Sequence, residues 1–309
     1  MRYFREGGAL ANKQEKVRKG GISQALTIFG VIFVSLFAIG CLLPFMMMVS
    51  ASFSEESRIM TEGVGLLPRG FTIEAYSLIL QNPRQLVGSY IVTIILTVVG
   101  TTLGLFIISM TGYALYRPDF HQRNKIAFFF YFTTLFNAGL VPTYIWMVRY
   151  LGLRNNYLAV LLPLLMTPWL IILMRNFMKS IPYEITESGK IDGAGDFKIF
   201  LLLVFPMMKP GLATVGLFLA LGYWNEWYQS MLYLPDVEFR PLQFYLWRIV
   251  NEAAALRQSL AGGVVTMLVL PTETLKMATA VLATGPIILL YPFIQRYFIS
   301  GITIGSVKG

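Results

Sequence analysis

Six apolar runs recur along the chain: Thr27 to Val49, Ser89 to about Tyr116, about Ile126 to Val148, about Tyr157 to Phe177, about Pro210 to Tyr233, and about Met277 to Tyr297. Each has more than the ~20 residues that cross ~30 Å of hydrocarbon at 1.5 Å of rise per residue. Backbone amides in lipid find no water, so runs of this kind must satisfy their own hydrogen bonds as helices. The chain therefore reads as all-α, a polytopic membrane protein with six transmembrane helices. Composition agrees, with 56% hydrophobic and 13% charged residues and a mean hydropathy of +0.63, where a soluble domain carries about 25% charged residues.

The polar stretches between the runs set the orientation. Residues 1–26 carry Arg2, Arg5, Lys13, Lys16, Arg18 and Lys19 against Glu6 and Glu15, and a basic flank of this kind stays in the cytosol. Thr27 to Val49 is too long for a signal-peptide core and is retained as a helix. With both termini cytosolic, 16 of the 25 lysines and arginines fall in cytosolic segments, the sense expected of inner loops. The division is thus a basic N-terminal segment, 1–26, and a six-helix membrane domain, 27–309. That domain includes a cytosolic loop, 178–210, and a tail, 298–309. The net charge of +9 comes from bases scattered through loops, with no single basic face for a nucleic acid.

The second run is rich in small and hydroxylated residues, including Thr93, Gly100, Thr101, Gly104 and Gly112, which lets membrane helices approach closely. It is expected at the centre of the bundle. Pro142, Pro163 and Pro168 fall inside the third and fourth runs, where neighbours can re-satisfy freed carbonyls. Ser50 to Gly88 reads as an external loop with a short helix around Thr72 to Leu80. Leu234 to Lys276 reads as a second external segment, whose apolar piece Gly262 to Leu270 is too short to span and is interfacial or re-entrant.

No catalytic set is present. His121 is the single histidine, in a basic loop with no second ligand, and Cys41 is the single cysteine, inside an apolar run; neither zinc chemistry nor a disulfide can be built from them. The sequence has no HExxH and no GxxxxGK[ST] phosphate loop. The chain is therefore not an enzyme, and transport, signalling or scaffolding remains.

The most informative polar stretch runs from Pro182 to Pro210. Tyr183 to Lys190 can form a short helix after Pro182, with Glu184 and Glu187 in its first turns, where the helix dipole favours acids. Asp192 and Gly193 then impose a turn, Ala194 and Gly195 keep the surface small, and the apolar run from Ile199 leads back to the membrane. On physical grounds alone this is either a solvated loop or a helix shaped to enter a cleft on another protein.

The stretch resembles the signature loop of the membrane subunits of ATP-binding-cassette (ABC) importers: Glu-Ala-Ala, three residues, Gly, nine residues, Ile-x-Leu-Pro. Glu187, Ser188 and Gly189 occupy the first three positions, Gly193 the glycine, and Leu203 to Pro206 the end. Both alanines are replaced, and Gly189 should weaken the helix by roughly 1 kcal/mol relative to alanine. Ile191 to Ala194, IDGA, resembles the carbohydrate-importer branch. Gly222 to Ser230, GYWNEWYQS, resembles a Trp-Asn segment of sugar permeases. The ending, Gly285 to Gly309, is similar to maltose-type permeases, particularly those of lipoprotein-associated polysaccharide importers.

The resemblance implies a type I ABC importer permease fold in a bacterial cell membrane, working by alternating access. Its implied partners are a second, homologous permease subunit, two ATPase subunits docked on the cytosolic face, and an extracellular or periplasmic sugar-binding protein. ATP and Mg²⁺ would be used by the ATPase partners, and no cofactor by this chain. Glu187, Ser188, Gly189, Ile191, Asp192, Gly193, Ala194 and Pro206 would form the ATPase-coupling element. Trp224, Asn225, Glu226 and Trp227 are candidates for the substrate pathway, since aromatic faces stack on sugar rings and amides and carboxylates bond hydroxyls. An ionisable residue such as Glu226 inside an apolar run points to function, while both tryptophans equally suit an interfacial belt. A peptide or amino-acid cargo, or a secondary transporter without ATP, are the alternatives.

Overall fold

The computed structural model describes residues 21–261 and 271–288. Among them the chain is helical with no β-strand, apart from one isolated bridge between Ser54 and Phe71. The apolar runs do fold as helices: α1 is Gly21–Ser52 and α4 is Pro83–Tyr116. Two shorter helices, α7 (Leu158–Leu165) and α8 (Pro168–Met178), together make the 21-residue span Leu158–Met178. Between α1 and α4 lie α2 (Glu56–Glu62) and α3 (Glu74–Ile79); α3 is the short helix expected around Thr72 to Leu80.

One expected straight span is bent, and another begins where expected but ends early. The third divides into α5, Arg123–Leu135, and α6, Leu140–Tyr150, at 112° to each other. The break has a local cause: Gly139 sits at φ +85° and donates its N–H to Asn137 Oδ1 at 2.8 Å, a conformation glycine adopts without steric cost. The fifth was expected from Pro210 to Tyr233. Instead α11, Lys209–Trp224, stands at 87° to the preceding α10, Asp196–Met207, and stops nine residues early. After a three-residue break the chain resumes as α12, Tyr228–Tyr233. The run from Ile199 thus forms a separate helix before the bend. Pro206 and Pro210 flank that bend and lack the donor N–H that would continue the ladder, while Phe200–Val204 forms a π turn within α10.

Among the described residues three helices are long and apolar enough to span, or five if each bent pair counts as one. The sixth expected span, Met277 to Tyr297, is helical over 272–288 and then runs outside the described residues, as do Gly262 to Leu270, residues 1–20 and the tail 298–309.

The bundle is built on α4. Its small residues bring neighbours against its backbone: a Cβ at Gly100 would come within 2.4 Å of the Tyr223 ring of α11, and one at Gly112 within 2.9 Å of Met174 of α8. Ile108, Leu170, Ile171, Met174, Val215, Leu219 and Tyr223 fill this core, and the Tyr223 hydroxyl donates to the Leu161 carbonyl at 2.8 Å. By contrast, among the described residues, the most apolar stretch of α1 has no buried residue. It is tied in at its C-terminal end, where Ser52 Oγ lies 2.8 Å from the Tyr76 hydroxyl and Phe53 packs between Phe71 and Tyr76.

A second cluster gathers the other end of α4. Amphipathic α13, Leu242–Ala261, occupies the segment expected to be external, and Thr93 Oγ1 of α4 accepts the Leu242 N–H at 2.7 Å. Glu56 of α2, only 4% exposed, caps the 272–288 helix. Its carboxylate accepts the N–H groups of Glu273 (3.0 Å) and Thr274 (2.9 Å) and the Thr274 hydroxyl (2.9 Å). An acid at a helix N-terminus meets both the free donors and the favourable end of the dipole.

Candidate functional site

The polar stretch after α8 folds as a short helix, α9, Glu184–Ile191, within one residue of the expected span. Glu184 and Glu187 lie in its first turn. Asp192 closes it and Gly193 takes φ +73°, the left-handed conformation natural to glycine. A Cβ at Gly193 would meet nothing within 4 Å, so the turn faces open space.

Three contacts fix α9 to the bundle. The Tyr116 hydroxyl at the end of α4 donates to the Ile181 carbonyl at 2.6 Å, just before α9 begins. Gly189 is buried where α9 crosses α10: a Cβ there would lie 2.9 Å from Ile199 Cγ1 and 3.1 Å from Leu203 Cδ1. The third is ionic. Arg117 grips Asp119 with two bonds, Nε to Oδ1 at 2.9 Å and Nη2 to Oδ2 at 2.5 Å, and reaches Asp196 Oδ1 of α10 at 2.6 Å. Lys190 of α9 also pairs with Asp119.

Bonds from Arg117 hold the Asp119 carboxyl well below the usual carboxylate range, and bonding to Asp119 raises both Arg117 and Lys190. A lowered native pKa stabilises above the ordinary carboxylate value, about 3.9. That contribution is lost only as pH falls through the depressed value, so the brace is intact at neutral pH. The loop Arg117 to Lys125 had been legible only as basic; its role as brace depends on Asp119, which sequence alone does not pair with Lys190, 71 residues away.

The expected coupling residues divide into groups. Glu187, Ser188, Asp192 and Gly193 are exposed and Ala194 is half-buried on the outer surface of the α9 turn, while Gly189 is buried against α10. Ile191 is 86% exposed, an apolar side chain left in water beside the open Gly193. Pro206 lies apart from them, at the far end of α10 beside the 87° bend.

The substrate-pathway candidates lie at the break after α11. Trp224 is buried and donates its indole N–H to the Ala283 carbonyl at 3.0 Å, joining α11 to the 272–288 helix. Asn225 ends α11, and its amide donates to the Leu221 carbonyl at 3.0 Å. Glu226 sits between helices and starts α12, its carboxylate accepting the Gln229 N–H (2.5 Å), the Ser230 N–H (3.1 Å) and the Ser230 hydroxyl (2.6 Å). Trp227 projects outward, with its ring 5.7 Å from that of Trp247 on α13. Sequence reading passed over Trp247, because its partner lies 20 residues away across a break that the apolar run concealed.

No family model matches the chain. Among individual proteins it is similar to the polygalacturonan/rhamnogalacturonan transport system permease protein YtcP of Bacillus subtilis (strain 168), 36% identical over 287 residues, covering 92% of this chain and 98% of that protein. It is also similar to the trehalose/maltose transport system permease protein MalG of Thermococcus litoralis, 27% identical over 300 residues, covering 95% and 100%. Of solved structures, it is similar to a chain of a bacterial ABC transporter involved in the import of the acidic polysaccharide alginate. There the TM-score is 0.74 at 31% identity, covering 90% of this chain and 98% of that one.

Proposed function

The chain belongs to the permease subunits of carbohydrate ABC importers, and from that premise we propose that the α9 turn is where a partner ATPase engages it. The chain is a transport subunit, the membrane-spanning permease of a binding-protein-dependent sugar importer. In this reading the ATP and Mg²⁺ belong to the partner. The observation that carries it is Ile191, exposed beside the unobstructed Gly193 at the tip of a helix braced on its other sides. Short helices that enter a groove do so with an apolar anchor and small neighbours, and Ile191, Gly193 and Ala194 supply both.

Two ATPase subunits and a second permease complete the assembly. A sugar-binding protein delivers cargo from outside, and both termini and the α9 turn face the cytosol. Glu187 and Asp192 present the partner with acidic charge. Gly189 and the Arg117–Asp119–Lys190 brace make α9, α10 and the end of α4 move as one piece, so a displacement of the ATPase groove passes to the bundle. The relatives are named for saccharide transport, which favours a saccharide over a peptide or amino-acid cargo.

The test is Gly193→Phe. A bulky side chain at a left-handed position on the docking surface should abolish co-purification of the ATPase while leaving membrane insertion and the permease pair intact. Recovery of the ATPase at wild-type yield would refute the docking role.

A further inference from the structure

Beside the break after α11 lies a cavity of about 350 Å³, lined by Trp227, Gln243, Trp247, Lys276 and Thr279 together with small and aliphatic side chains. Two stacked indoles stand in its wall, with the buried Phe244 ring behind them. Trp227 and Trp247 lie 5.7 Å apart and inclined by 24°, and Phe244 continues from Trp247 at 6.1 Å and 29°. Although stacked, Trp227 and Trp247 keep 39% and 38% of their surfaces exposed. Trp247 also lines a second cavity of about 360 Å³, with Asn251 and the Arg248–Glu252 ion pair on its wall, so the one indole borders both spaces.

Among the described residues, Lys276 is the one charged residue lining the first cavity. Its ammonium pairs with Glu273 at 2.8 Å, one turn away, and both side chains are more than 40% exposed. A pair of that kind is worth little in water and exchanges readily for another anion. Gln243 adds amide donors and an acceptor, and Thr279 a hydroxyl. An indole shelf that takes a ring face, with hydroxyl-bonding groups at its edge, suits a pyranose. The Lys276 ammonium at the same rim, held only in an exposed pair with Glu273, adds a preference that no neutral sugar satisfies.

We infer that this cavity is a saccharide subsite in which Lys276 takes the carboxylate of a uronate residue, making the chain's cargo an acidic oligosaccharide whose next ring extends past Trp247. The inference rests on the carbohydrate-importer reading and sharpens it. Stacking on Trp227 and Trp247 positions the ring, and Lys276 selects its charge. Of the four residues singled out after α11, Trp227 is the one placed to touch cargo, while Trp224 and Glu226 hold the helices on either side.

The solubilised permease–ATPase complex, without binding protein, is titrated with trigalacturonate and with its methyl triester, reading tryptophan fluorescence. Wild type should bind the acid more tightly, by about tenfold, as expected for one charge-assisted contact. Lys276→Gln should erase that ratio and Lys276→Arg keep most of it, while Trp247→Leu should weaken both ligands alike. An unchanged acid-to-ester ratio in Lys276→Gln overturns the inference. So does absence of binding to wild type, or loss of the second permease from the Trp247→Leu complex, which would make the cavity a subunit contact. Separately, stimulation of ATP hydrolysis by binding protein loaded with a neutral trisaccharide reports on the importer reading. Stimulation there, with no charge preference in the titration, removes the inference and leaves that reading standing.

Discussion

Gly189 shows how a residue that departs from a family pattern can follow from local packing. On propensity alone glycine in the middle of α9 weakens the helix by roughly 1 kcal/mol against alanine. The structure gives the opposing term, since a Cβ there would press to 2.9 Å on Ile199 Cγ1, a methylene of a β-branched side chain that is stiff at χ1. Overpacking of this kind costs about 1–3 kcal/mol, so Gly189→Ala should lower the thermal unfolding midpoint in detergent. Ser188→Ala, at an exposed neighbouring position, should leave it unchanged or slightly raised. A Gly189→Ala variant more stable than wild type would show that propensity wins. Glu187, Gly193 and Pro206 were legible in sequence as a spacing. The reason for Gly189 was not, because Ile199 and Leu203 approach it only after the chain turns at Gly193.

At the scale of elements, what holds the helices together is drawn largely from contacts that sequence cannot register. Glu56 shows this most clearly. In sequence it is one acid among several in a polar loop; in the structure its carboxylate takes two backbone N–H groups and two hydroxyls 216 to 218 residues away. Glu56→Ala should leave those donors without their partner and destabilise the fold by about 2–3 kcal/mol, within the range for hydrogen bonds to charged groups. Glu56→Gln, which keeps one acceptor oxygen, should lose less. Equal unfolding midpoints for wild type and Glu56→Ala would exclude the clasp as a stabilising element. The same distance hides Trp224, whose indole anchors α11 to the 272–288 helix. The breaks at Gly139 and Met208 were partly written in the sequence, as an Asn-Ala-Gly turn and as prolines at 206 and 210. The first was absorbed into the apolar run Ile126 to Val148 because hydropathy averages over a window longer than a turn, whereas the second falls just before the run that begins at Pro210.

For the whole molecule, burial is unevenly shared. Apolar length reveals where spans begin and end, and it located α1, α4 and the α7–α8 span well. It does not reveal which spans pack on one another, because lipid and protein neighbours are equally apolar. The small residues of α4 did carry that information. Gly100→Leu should drive the Tyr223 ring away and break its bond to Leu161, lowering the unfolding midpoint of the isolated subunit by several degrees. Gly40→Leu in α1, where nothing lies within 4 Å, should not change it. Equal midpoints for the two variants would mean that the α4–α11 contact is no tighter than the surroundings of α1.

The 87° bend between α10 and α11 gives the molecule the geometry of a crank. With twelve residues at 1.5 Å each, α10 is an arm about 18 Å long, set across the axis of α11. A swing of about 10° about the bend would carry its far end, where α9 is attached, through about 3 Å, on the arm length just given. In the proposed coupling, a motion no larger than a side chain at one end would become a rotation of α11 at the other. The stroke is set by the number of residues between Asp196 and Met207, and inserting or removing one would also turn the α9 end by about 100° around the arm.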